Sequence, residues 1–162
     1  MTSITLTNTD ATILTDLAAA LRDATLDGSA VFAQVVVSAG ALDTRLAGPS
    51  PKAMVRYRST SERPAPEGRR ACVVTAELIV LTRLQAGAAD GDRISTVLGL
   101  LSAARNAVEA GPPAAACHAY SDAGLTPRLQ WGEPRLDDPD GPWGRGRIEV
   151  TVAYMIDTPT NH

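Results

Sequence analysis

The residues of this chain whose types could do chemistry are few and scattered. Cys117 and His118 are neighbours, with Ser121 and Asp122 close behind, and a thiol beside an imidazole suggests a nucleophile and its base. A catalytic pair needs two side chains within hydrogen-bond reach and a third group to orient the base, and adjacency along the chain supplies neither. The only other histidine is the terminal His162. An ordinary loop is the preferred reading here, and no catalytic residue is assigned.

Asp137, Asp138 and Asp140, followed by Gly141, resemble a piece of a calcium loop. The distal bidentate glutamate is missing, because Glu149 falls too far along and inside a strand pattern. A solvated turn is preferred, with no metal ligand. The glycines of GPWGRGR, residues 141–147, also fail as a phosphate loop, since they lead into a strand and not into a helix N-terminus. No cofactor-binding residue is assigned, and no cofactor is expected.

Two constellations remain as contact candidates. Arg56, Arg58, Arg63, Arg69 and Arg70 gather around STSERPAPEG, residues 59–68, and form either a basic rim or a solvated hairpin face whose charge is partly offset by Glu62 and Glu67. Trp143, with Arg145 beside it, sits among turn residues with little local apolar cover. It reads equally as a contact anchor and as a local cap of a hairpin, whereas Trp131 is placed to fill the edge of the core.

Composition narrows the classes. A chain of 162 residues suits one domain, residues 1–162, and can bury a core without metal or disulfide staples. Only six residues are aromatic, so the core is built from Val, Leu, Ile and Ala, and a deep pocket walled by aromatic rings is not expected. Formal net charge is −3, and fourteen of the fifteen basic residues are arginine, Lys52 being the exception. That balance gives no basic field for specific nucleic-acid recognition. Cys72 and Cys117 belong to no C-x-x-C pair, which suits a reduced, cytosolic setting. The N-terminus lacks the pattern of a signal peptide and no stretch suits a bilayer crossing, so a soluble protein without a membrane partner is expected.

The elements that must position these residues are legible as periodicities. Ile13, Leu14, Leu17, Leu21 and Ala24 share a helical face, predicting a helix over about Ala11–Thr25 with Thr9 or Asp10 as cap and Asp27-Gly28 as stop. Val31–Val37 reads as a strand, and GALDTRLAGPSPK as a long connection. Ala53, Val55 and Tyr57 alternate with Met54, Arg56 and Arg58 in a second strand, and a mobile loop is expected over Ser59–Gly68. Cys72, Val74, Ala76, Leu78 and Val80 give the longest strand pattern, predicted as the centre of the sheet. Ile94, Val97, Leu98, Leu101, Ala104 and Val108 mark a second helix, with Asp92 as cap and Gly111-Pro112-Pro113 as stop. Ile148, Val150, Val152, Tyr154 and Ile156 form the last strand, paired with Leu129–Trp131 across an exposed connection at Glu133–Gly146. The sum is an α+β domain, a mainly antiparallel sheet packed against two α-helices, with long exposed loops.

The order of these elements resembles the tail terminator, or tail completion, proteins of long-tailed phages and prophages. The carriers are ILTDLAAALRDA, VFAQVVV, PSPKAMVRY, ACVVTAELIVLTR, DRISTVLGLLSAARNAVEA and the final WGEP…RIEVTVAYMI. The similarity spans nearly the whole chain and rests on pattern, its most specific parts being the long strand followed by the second helix and the step Trp131-Gly132-Glu133-Pro134. It implies a non-enzymatic virion protein of the tail or neck, assembled in the host cytoplasm. Its subunits would form a homo-oligomeric ring, hexameric in that family, that caps the tail tube protein and meets the head-side connector or stopper protein. The loops 59–68 and 137–146 carry nothing that matches the family. Head-closure or other neck rings and the caps of contractile injection systems share related architectures. A small α+β enzyme or ligand-binding domain is the competing class.

Overall fold

Strand β5 (Arg69–Arg83) organises the molecule: its even-numbered residues Cys72, Val74, Ala76, Leu78 and Val80 are all buried, as their alternation predicts. In this computed structural model, which describes residues 8–38, 49–64, 68–119, 129–137 and 141–157, β5 lies at the centre of the main sheet. The other elements are α1 (Thr9–Arg22), β1 (Thr25–Leu26), β2 (Ser29–Ala30), β3 (Gln34–Ser38), β4 (Lys52–Pro64), α2 (Asp90–Ala110), α3 (Ala114–Ala119), β6 (Leu129–Trp131), β7 (Arg135–Leu136) and β8 (Trp143–Asp157). Strand order is β3-β4-β5-β8-β6, with β7 also on β8. The β3–β4 pair is parallel and the other pairs are antiparallel. The fold is thus α+β with a mostly antiparallel sheet covered by helices, as expected.

One face of the sheet carries the core. Ile13, Leu17 and Leu21 of α1 and Val97, Leu101, Ala104 and Val108 of α2 pack on the even-numbered side of β5 and on Ile148, Val150 and Val152 of β8. Burying a side chain of this size stabilises by about 1.5–3 kcal/mol, so these two helical stripes hold the layers together. The predicted stripe on α2 was too broad. Ile94 is 44% and Leu98 39% exposed, because Leu98 is rotated by roughly 90° from the line through Val97, Leu101 and Val108.

Several boundaries differ from the sequence reading. Helix α1 is capped by Asn8, whose Oδ1 accepts from the Ala11 N–H at 3.1 Å, while Asp10 lies within the first turn. The helix ends at Arg22, and Asp27-Gly28 serves as the turn of the β1–β2 hairpin, with φ of 52° and 80°. Positive φ at both central residues matches the twist of a two-residue hairpin, which explains the Asp-Gly pair. The strand expected over Val31–Val37 begins at Gln34. Helix α2 starts after Ala89 with no side-chain cap, and Asp90 and Asp92 lie in its first turn, where acids favour the N-terminal dipole. Gly111 is its C-cap, as expected.

The larger correction concerns the loop expected over Ser59–Gly68. Residues 59–64 continue β4 and pair with β5 from Ser59 opposite Thr75 to Pro64 opposite Arg70; residues 65–67 lie outside the described residues. Backbone pairing needs no apolar side chains, so a polar sequence can extend a strand that a long neighbour templates. Residues 39–48 of the long connection also lie outside the described residues, and Ser50 fastens its end through Oγ, which accepts from the Arg83 N–H at 2.9 Å. The connection expected at Glu133–Gly146 is partly sheet: Arg135 pairs with Arg147, Leu136 with Gly146, and β8 already begins at Trp143.

Gly144 and Gly146 show why the GPWGRGR glycines are there. They lie on the helix-facing side of β8, under α2. A Cβ at Gly146 would come within 2.5 Å of Val97 Cγ1 and 3.0 Å of the Arg135 carbonyl, and one at Gly144 within 2.8 Å of Val97 Cγ2. Val97 is buried and β-branched, so it has no easy rotamer to escape into. Gly146→Ala is expected to lower the unfolding free energy by about 1–3 kcal/mol, measured by denaturant melts, and Val97→Ala in the same chain should recover part of that loss; an unchanged melt would show that α2 stands off the sheet.

Candidate functional site

The candidate contact residues do not form one surface. Arg69 stands opposite Asp157 and Trp143 opposite Arg83 on the same β5–β8 ladder, so the two ends are separated by about 45 Å of strand. Arg63 and Arg70 lie at the end with Arg69. Both are exposed, and Arg70 pairs with Glu62 at 3.5 Å. Arg145 lies at the other end with Trp143, and its Nε is 2.6 Å from Asp137 Oδ2. Trp143 is half-buried at the first position of β8, and its carbonyl accepts from the Arg93 guanidinium at the start of α2. It is therefore anchored in the sheet by its backbone and not carried on a free loop.

Arg56 and Arg58 fall between these ends, on the face of the sheet away from the helices. There a chain of charges crosses four segments: Arg56 is 3.9 Å from Glu77, Glu77 is 4.0 Å from Arg147, and Arg147 is 3.5 Å from Asp137, which also meets Arg145. Glu77, on the central strand, is 7% exposed and is the pivot of the chain. Arg58 is the extra residue of a β-bulge, since Tyr57 faces Ala76 and Ser59 faces Thr75. A bulge re-aims the side chain it carries. Arg58 lines, with Glu77, Glu133, Arg135, Arg147 and Glu149, a polar trough of about 280 Å³. Gly132 closes its wall: the N–H of Gly132 donates to the Glu149 carbonyl at 2.9 Å, and a Cβ there would lie 3.3 Å from that of Glu149.

Most of this trough escaped the sequence reading. The signal was a lone acid, Glu77, inside the most apolar strand of the chain, and the alternation Arg147, Glu149 on the polar face of β8. Asp137, read as part of a solvated turn, instead holds two arginines, while Asp138 and Asp140 lie outside the described residues. Among the described residues no group of three or more His, Cys, Asp or Glu is placed to hold a metal ion. The side chains of Cys117 and His118, and all of Ser121 and Asp122, lie outside the described residues. Trp131 packs against the core edge, as expected, with the Arg105 guanidinium 5.4 Å above its ring.

A second polar cluster sits on the helix side of the sheet. Tyr154 donates its O–H to Asp10 Oδ1, Thr60 Oγ1 donates to Asp10 Oδ2 at 2.7 Å, and Tyr57 and Thr60 share a hydroxyl contact at 2.7 Å. Asp10 thereby ties the first turn of α1 to strands β4 and β8. Burial, then the hydrogen bond to Asp10 and its negative charge, push the Tyr154 phenol far above its ordinary value. Burial likewise raises the neighbouring Cys72 thiol, against the lowering effect of its hydrogen bond with Tyr154. This thiol is fully buried and protonated, which makes it a poor nucleophile.

No protein-family model matches the chain, and no curated protein sequence matches it.

The Tyr154 shift has a pH consequence of definite sign. A tyrosine in the unfolded chain ionises near pH 10, whereas folded Tyr154 keeps its proton, so its contribution is complete below about pH 10 and falls as pH rises further. Tyr154→Phe should lower stability at pH 7 by about 0.5–2 kcal/mol and make the decline above pH 10 shallower than in the parent chain. Thermal melts from pH 7 to 11 measure both effects, and parallel pH profiles for the two chains would contradict the assignment.

Proposed function

We propose that this chain is a structural subunit of a phage or prophage virion, a ring-forming tail terminator that caps the tail tube and joins it to the head-side connector. The observation that carries the reading is the exposed outer extension of strand β4. Strand β4 runs on through Ser59–Pro64 with its side chains largely exposed, held in register by β5. Beyond Arg56, its outer edge has no strand partner among the described residues. An ordered arm that covers little of its own core is suited to lie against a neighbouring copy, and repeated head-to-tail contacts of that kind close into rings.

Exposed apolar residues add to this support. Leu26, at 70% exposure, tips the β1–β2 hairpin, and Ile94, Leu98 and Leu136 are exposed on α2 and β7. With Arg63 on the arm, Arg70 next to it on β5, and Trp143 and Arg145 at the far end of β8, one subunit offers two separated candidate contact regions, as a ring requires. The element order that resembles the terminator family supports the tail-tube level of the ring. Docking to a head-side connector alone would instead favour a head-closure ring, and docking to an injection-system tube the corresponding cap.

Mass photometry and electron microscopy of the purified chain, with and without tail tube protein, should show a closed ring, sixfold by the family resemblance. A strict monomer that never binds a tube would end this reading. Within it, Trp143→Ala should weaken assembly by about 1–3 kcal/mol with a smaller effect on subunit unfolding, while Trp131→Ala should do the reverse. Equal loss of folding stability in the two variants would place Trp143 in the structural frame of the subunit and remove it from the contact.

A further inference from the structure

The trough on the face away from the described helices holds a buried carboxylate at its floor. Glu77 lines it with a side chain only 10% exposed, and neither arginine near it comes closer than 3.9 Å. Its Oε1 atom is buried and has no hydrogen-bond donor among the described residues. A buried carboxylate oxygen left unpaired is costly, so this atom calls for a donor from outside the subunit's own side chains. Glu149 stands directly opposite Glu77 in the β5–β8 register, on the same face, and has no ion pair among the described residues. Two carboxylates facing each other across antiparallel strands repel, and a cationic donor between them would reverse that repulsion.

The opposite requirement is present on the walls. Arg58, turned by the bulge, and Arg135, on the segment that Gly132 allows to close in, are exposed and have no ion pair among the described residues. These two guanidiniums offer donors for a carboxylate. A simple cation would meet these arginines and a simple anion would meet Glu133 and Glu149, so neither suits the whole lining. The trough's volume of about 280 Å³ is several times that of a water molecule and lies just under the usual range for drug-sized ligands.

From this arrangement we infer that the trough binds a small zwitterion of the α-amino-acid class, its ammonium donating to Glu77 and Glu149 and its carboxylate held by Arg58 and Arg135. The inference does not rest on ring formation, so a monomer that binds the ligand would fail only the ring reading, and a ring that does not would fail only this one.

The test is an NMR titration of the full ¹⁵N-labelled chain with glycine and L-serine, and with methylammonium and acetate as probes that carry one charge each. The amino acids should produce saturable shifts at the amides of Glu77, Gly132 and Glu149, and each single-charge probe should bind at least about tenfold more weakly. Glu149→Gln and Arg135→Gln change exposed residues that have no ion pair among the described residues, so both should fold normally and each should weaken binding by about tenfold or more. Absence of saturable shifts with both amino acids, equal binding of acetate or methylammonium, or unchanged affinity in both variants would overturn the assignment.

Discussion

The uninterrupted pairing of β5 with β8, from Arg69 opposite Asp157 to Arg83 opposite Trp143, is the constraint on which the rest of the molecule depends. Because side chains alternate along a strand, this one register assigns every residue of both strands to a face. It sets Cys72, Val74, Ala76 and Leu78 beside Tyr154, Val152, Val150 and Ile148 under the helices. The same register sets Glu77 beside Glu149 and Ile79 beside Arg147 on the other side. A slip by one residue would move the charges under the helices and the valines out to water. The fold and the charge network are two consequences of a single alignment.

That alignment also accounts for the close fit at the other end of β8. The strand must pass beneath α2 at Gly144 and Gly146, where any side chain would run into Val97, and it must start where Arg93 of α2 reaches the Trp143 carbonyl. Residues that looked like a loop with spare glycines are thus a packing surface. The arm formed by residues 59–64 is the converse case, since a sequence with no apolar anchor is ordered because β5 templates it. Only the arm adds an exposed length of strand, and in the proposed assembly that length is what a subunit can offer to a neighbour.

The face away from the described helices shows how an unfavourable pair is managed. Glu77 in the middle of an apolar strand is offset by Arg56 and Arg147, each near the outer limit of an ion pair, and Arg147 is shared with Asp137. Partly screened pairs of this geometry contribute little to stability individually. Their effect is to set directions: they hold the arginines in a row, with Glu77 Oε1 lacking a hydrogen-bond donor and Glu149 an ion pair among the described residues.

The α+β class, the central place of β5, the buried stripe of α1 and the stop of α2 were all legible in the chain, because each is a local periodicity or a turn residue that acts on its own neighbours. Asp27-Gly28 was legible as a break, but its hairpin depended on two short strands too brief to show a pattern. The extension of β4, the burial of the GPWGRGR glycines and the gathering of Arg58, Glu77, Arg135 and Glu149 were not legible. Each arises between segments far apart in sequence, brought together by strand pairing whose partners and register no single segment encodes. The sequence by itself determined which faces are apolar and where elements break, since these follow from side-chain chemistry at fixed local spacing. Only the tertiary structure decided which polar residues meet, because that depends on long-range hydrogen-bonded register and on the bulge at Arg58 that shifts it.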